Sequence, residues 1–153
     1  MFDKENLMKD LHRSMSVLFS NLYSLLLKTQ NYHWHVKGPN FKELHVFFEE
    51  QYTQLFGFVD LVAERMLTMD FNAPATLTEI LEYRSLKDAH YDKSGFEMVS
   101  DLIKDYTVLI DNIYDAINLS KKHEDEGNVT FLTDLLVQVE KTMWMLKATS
   151  SGF

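Results

Sequence analysis

From Lys4 to Trp34 the chain contains neither glycine nor proline. Over such a length, helix is the one conformation in which the backbone satisfies its own polar groups without help from another segment. Leu7, Leu11, Met15, Leu18, Leu22 and Leu25 step by four and three, which lays them along one face of that helix as the seam of a bundle. The first helix is therefore expected from about Lys4 to Trp34, with His33 in its last turn. Lys37-Gly38-Pro39-Asn40 ends it, because glycine can close a helix and proline cannot continue one. The whole chain of 153 residues has only five glycines and two prolines, so long helices are expected elsewhere too.

A second helix is expected over Phe41 to Met69. At about 100° per residue, Leu44, Phe48, Tyr52, Leu55, Val59, Val62 and Met66 fall in one apolar stripe, and His45, Glu49, Asp60 and Glu64 fall on an arc beside it. A long connection follows from about Thr68 to Lys93. It holds Pro74 and then Thr-Leu-Thr-Glu-Ile-Leu-Glu-Tyr, where Thr78 is the expected cap of a short helix. Ser94 with Glu97 forms a capping-box pattern and opens a third long helix through about Lys122. Phe96, Val99, Ile103, Tyr106, Ile110, Ile113 and Ile117 are its expected buried face. After an acidic turn, His123 to Asn128, Thr130 is the expected cap of a fourth long helix through about Ala148, with Leu132, Leu135, Leu136, Val139, Met143 and Leu146 inward. If the second and third long helices run parallel, their link must travel the length of the bundle. One long crossover of this kind is the ferritin-like wiring of a four-helix bundle. The expected fold is thus all-α, one domain over residues 1–153, with a short extra helix in the crossover.

Composition narrows the chemistry. The absence of cysteine excludes disulfides, thiolate metal sites and thiol catalysis. A net charge of −8 opposes a nonspecific hold on nucleic acid or an anionic membrane and favours cations. There is no apolar run of the roughly 18 residues that a membrane span needs, and the N-terminus lacks the basic start and apolar core of a signal peptide. A cytoplasmic protein is expected.

The histidines and acids on the second helix form the candidate site. His45 with Glu49 and Asp60 with Glu64 are each one turn apart, but the two pairs are separated by about 11 residues, roughly 16 Å of helix. No single ion touches both pairs on one straight helix. A second copy, antiparallel across a two-fold axis, would bring one chain's histidine end beside the other's acid end. The predicted site therefore takes His33 and His45 from one chain and Asp60 and Glu64 from its mate. Thr53, Gly57 and Ala63 are small enough for the helices to approach there. Spacing alone leaves a second reading open, a solvated helix face with chance histidines. The residues three before the histidines are Lys9, Gln30, Tyr32, Lys42, Lys87 and Ser120, none acidic, so a Glu-x-x-His di-iron site within the bundle is not expected. Imidazole with carboxylate suits Fe(II), Mn(II) or Zn(II). Trp34 and Trp144 are candidates to donate electrons and quench radicals, or simply to pack.

The run Asn31-Tyr32-His33-Trp34-His35-Val36-Lys37-Gly38-Pro39-Asn40-Phe41, then Leu44-His45, Phe48-Glu49 and Asp60-Leu61-Val62-Ala63-Glu64-Arg65, closely resembles Dps, the mini-ferritins named as DNA-binding proteins from starved cells. The resemblance covers nearly the whole chain. It implies a hollow dodecamer built from two-fold dimers, with ferroxidase centres at the two-fold interfaces. Iron(II) would be oxidised there, typically with hydrogen peroxide, and stored inside as ferric mineral, which suppresses hydroxyl-radical damage under oxidative stress. His33 and His45 match the family's ligand histidines, Asp60 and Glu64 its carboxylates from the neighbouring chain, and Glu49 an acid that holds or bridges the second iron. His35, often asparagine in the family, is left outside the site as a loop-end or interface residue. Glu124, Asp125, Glu126 and Asp134 are the local candidates for acids lining three-fold pores, although a family aspartate near the helix start is Thr130 here. The lysine-rich extension that DNA binding usually needs has no counterpart in the short N-terminal segment or the C-terminus, so DNA binding is not expected at physiological salt. A nucleoid-compacting protein with secondary iron chemistry is the alternative.

Overall fold

The computed structural model describes residues 3–151. Five helices follow one another: α1 (Lys4–His35), α2 (Phe41–Thr68), the short α3 (Leu77–Tyr83), α4 (Gly95–Lys122) and α5 (Glu126–Ser150). No strand is present among the described residues. The seam read in the sequence is the core of α1: Leu11, Met15, Leu18, Leu22 and Leu25 are fully buried, and Leu7 nearly so. On α2, Leu44, Phe48, Leu55, Val62 and Met66 are buried, while Tyr52 and Val59 pack partly exposed against the same core.

Three expectations fail for local reasons. The short helix starts two residues earlier than Thr78 would set it, because Thr76 accepts the Glu79 amide (3.2 Å) and caps α3. The last helix starts at Glu126 rather than after Thr130, because Asp125 accepts the Asn128 amide (2.9 Å) and caps it. Thr130 lies exposed within the helix. Phe96 is exposed rather than inward, since the first turn of α4 buries Gly95 and Met98 instead. A Cβ on Gly95 would stand 2.6 Å from Leu44 Cδ1, so that glycine is what lets α4 begin tight against α2. The capping box at Ser94 and Glu97 forms as read.

Contacts between helices set their directions. Lys28 and Asn21 of α1 meet Asp101 and Asn112 of α4, and the end of α1 meets the start of α2 at His33 and His45. Both α2 and α4 therefore run antiparallel to α1 and parallel to each other. Gln54 with Thr142, and Arg65 with Asn128, set α5 antiparallel to α2. The link from α2 to α4 must consequently cross the length of the bundle, and it does so over α1, against which α3 packs.

Two buried polar devices hold this arrangement. Asn21, with no exposed surface, accepts the backbone amides of Ser85 (2.8 Å) and Leu86 (3.2 Å) and donates to Ser85 Oγ (3.0 Å) and Asn112 Oδ1 (2.7 Å). It ties the crossover to α1 and α4 at once, with every donor and acceptor of its amide used. Lys28, also buried, places its ammonium 3.0 Å from Asp101 and 2.9 Å from Asp105, and Tyr32 donates its hydroxyl to Asp101. Burial works against an ionised Asp101, but the hydrogen bonds from Tyr32 and Lys28 prevail and hold its carboxyl below the ordinary value. At Asp105 burial prevails over Lys28 and pushes the carboxyl up to about 6.

Replacing Asn21 with leucine leaves two crossover amides without an acceptor. The expected loss is about 2–4 kcal/mol, read by guanidinium denaturation, with limited proteolysis cutting the crossover first. Because the folded state holds the Asp105 proton more tightly than the unfolded chain does, the favourable contribution of this group is present below the ordinary aspartate pKa and is lost as pH rises to about 6. Asp105→Asn should therefore gain stability relative to the parent between pH 4 and 7, by roughly 1–3 kcal/mol, in paired denaturation curves.

Candidate metal centre

His33 sits in the last turn of α1 and His45 in the second turn of α2, joined by a tight corner in which Gly38 and Asn40 both take positive φ. The corner folds the two rings onto each other. Their centroids are 3.8 Å apart and their planes differ by 13°. The Nδ1–H of His33 donates to the carbonyl of His45 (2.6 Å), and the Nδ1–H of His45 donates to the carbonyl of His33 (2.7 Å). A carbonyl only accepts, so each exchange places the proton on Nδ1 and leaves the Nε2 lone pair available in the neutral ring. Hydrogen bonding of one ring nitrogen to fix the other as donor is the usual support of a metal-ligating histidine. His33 is 7% exposed, with the Tyr52 ring edge-on at 5.2 Å; Phe41 stacks on His45 at 5.1 Å. The pair is thus held by hydrogen bonds between its helices and by aromatic walls, with both Nε2 atoms left without a hydrogen bond among the described residues.

The acids are not brought to it. Glu49, Asp60 and Glu64 stand exposed on α2 and take no hydrogen bond or ion pair among the described residues. No group of three or more histidine, aspartate and glutamate side chains among the described residues is close enough to hold a metal. One chain therefore presents two paired imidazoles with Glu49 exposed one turn on, and, farther along the same helix, Asp60 and Glu64 without a partner among the described residues. The donor set fits a borderline-to-hard divalent cation once carboxylates are supplied from outside the chain.

The remaining candidates divide. Trp34 and Trp144 are 60% and 65% exposed, so neither fills this chain's core; Trp144 borders a cleft of about 400 Å³ between α4 and α5. His35 closes α1 instead of lying in the loop, donating to the Asn31 carbonyl (2.7 Å) and meeting Tyr91 edge-on. Of the acids proposed to line a pore, Asp125 is occupied: it caps α5 and pairs with Arg65 (3.2 Å). Glu124 turns the corner at φ 58°, and Glu124, Glu126 and Asp134 are exposed. The sequence reading missed the aromatic walls, Tyr52 and Phe41, and the Arg65 contacts. Tyr52 was legible only as a stripe residue, and Arg65 only as the last letter of a motif.

A ferritin-like domain family model matches residues 16–151. The chain is 38% identical over 129 residues to the DNA protection during starvation protein of Brevibacillus brevis, covering 84% of this chain and 87% of that protein. Among solved structures it is similar to a Dps protein from Bacillus brevis, with TM-score 0.90 and 34% identity over 97% of this chain and 99% of that one. It is also similar to a Dps protein from Vibrio cholerae, described as a member of a broad superfamily of ferritin-like diiron-carboxylate proteins, with TM-score 0.88 and 30% identity over 94% of this chain and 90% of that one. With a paired-histidine half-site on a bundle of this wiring, these matches place the chain in the ferritin-like family, among the Dps proteins.

Proposed function

We propose that this protein is a ferroxidase and iron store whose centres are completed between two copies of the chain. The observation that carries this reading is the separation within one subunit: preorganised imidazoles at one end of α2, unpaired carboxylates at the other. Family membership supports iron storage and protection in general. The proposed centre takes His33 and His45, with Glu49 one turn on, from one chain, and Asp60 and Glu64 from the other. Ferrous ion is the substrate; the same donors accept Zn(II) or Mn(II). Hydrogen peroxide, the proposed oxidant, accepts one electron from each of a pair of ferrous ions, and its O–O bond breaks to leave two hydroxides. Carboxylates favour the ferric product as it forms. Trp34 and Trp144, both exposed, are the proposed donors that quench stray radicals.

The surface supports a homo-oligomer. Phe56, Leu61, Leu77 and Leu81 are all more than half exposed, more apolar surface on α2 and α3 than a lone subunit needs. Gly57 lies mid-helix, where glycine weakens a helix by about 1 kcal/mol, yet a Cβ there would meet nothing within 4 Å in this chain. A second α2 approaching closely would account for it. We take the assembly to be the dodecamer of two-fold dimers, located in the cytoplasm; no helix among the described residues is long and apolar enough to cross a membrane.

The test is optical stopped flow with Fe(II) and peroxide, beside light scattering for particle size. A dodecamer-sized particle is expected, and His33→Ala with Asp60→Ala should slow oxidation at least ~10-fold at unchanged size. A monomer that oxidises iron at full speed overturns the proposal. With −8 per chain the assembly repels phosphate, so the iron-free protein should leave plasmid unshifted in a gel at about 0.15 M salt; a robust shift would favour the nucleoid-compacting reading.

A further inference from the structure

Glu64 lies one turn from the end of α2, which closes at Thr68. The last turns of a helix lack partners for their carbonyls and open most readily. A ligand carried there needs something to hold its turn still, and Glu64 itself has no partner among the described residues. The next residue supplies one. Arg65 donates from Nε to Asn128 Oδ1 (3.1 Å) and from Nη2 to Asp125 (3.2 and 3.4 Å). Asn128 is no mobile surface group: it is fully buried and donates in turn to the buried Ser120 Oγ (2.8 Å). The guanidinium crosses the first turn of α5 beside Gly127, where an added Cβ would stand 3.4 Å from Nη2. Two acceptors at a fixed angle suit the planar fork of arginine and not the single point of lysine. The fork is also spoken for by Asp125, which leaves the adjacent Glu64 carboxylate free of a competing cation.

We propose that Arg65, by clamping the end of α2 to the α4–α5 corner, is a positioning residue that delivers Glu64 to the neighbouring chain's histidines in one fixed place. This rests on the interfacial site proposed above and adds to it a residue that touches neither iron nor oxidant. Losing a partner that orients a ligand weakens metal binding by about 10–100-fold.

The experiment is a Co(II) titration of the assembled protein by calorimetry, with Fe(II) concentration dependence of oxidation as second readout. Arg65→Ala and Asn128→Ala, at opposite ends of the clamp, should each weaken Co(II) about tenfold at unchanged sites per subunit and particle size. The double variant should be no worse than Arg65→Ala alone, and Arg65→Lys should fall between parent and alanine. The Fe(II) concentration for half-maximal rate should rise while the maximal rate holds. Lower melting temperatures with unchanged Co(II) affinity would overturn the proposal. Glu64→Gln separates the two ideas. If it weakens Co(II) while the clamp variants do not, only the clamp falls; if it has no effect, the interfacial site falls with it. Should Arg65→Ala fail to assemble, Arg65→Lys and Asn128→Ala still decide.

Discussion

An imidazole has one nitrogen to be held by and one to bind with, and the exchange between His33 and His45 assigns both for two rings at once. Each ring is held through the other's backbone carbonyl, so rotating either one breaks one of the two bonds that join the helices. The corner at residues 36–40 brings the end of α1 and the start of α2 together. The stacked rings keep them there, and the aromatic faces of Tyr52 and Phe41 close the sides. Helix directions in the rest of the bundle follow from this junction: once α2 is antiparallel to α1 and α4 is drawn to the same end by Lys28, only a long crossover completes the chain.

The periodic features were legible before any coordinates. The leucine seam of α1, the stripe of α2 and the Ser94 capping box depend on local spacing, and local spacing survives folding. What was not legible depends on competition between neighbours. Thr78 and Thr130 are good caps by composition, but Thr76 and Asp125 reach the needed amides first. Phe96 fits the apolar period yet sits in a first turn already filled by Gly95 against Leu44. Lys28 and Asp105 fall among buried positions, and a lysine at a seam spacing is a signal that an ion pair lies inside; it went unread because a pattern of hydrophobics has no place for it.

For the candidate site, the sequence motif pairs His33 with His45, and the structure brings the two side chains together through reciprocal hydrogen bonds. The acids are another matter. Spacing along one helix says that they are too far away, and the fold of one chain leaves them so. The single subunit thus carries exposed apolar surface, a mid-helix glycine and carboxylates without a partner among the described residues, the features on which the proposed interfacial centre rests.

Asn21 divides the crossover at Ser85 and Leu86 into two shorter spans, each anchored at both ends. The stretch from Lys87 to Asp92 is mostly exposed and runs between that pin and the Ser94 cap, touching the bundle through Ala89 and through Tyr91, which meets His35 edge-on. Lengthening it adds chain entropy that grows only logarithmically, about 0.6 kcal/mol for each doubling. An insertion at the exposed Asp92 leaves the Asn21 pin, the Tyr91–His35 contact and the Ser94 cap in place, which makes it the natural place for a graft or a label.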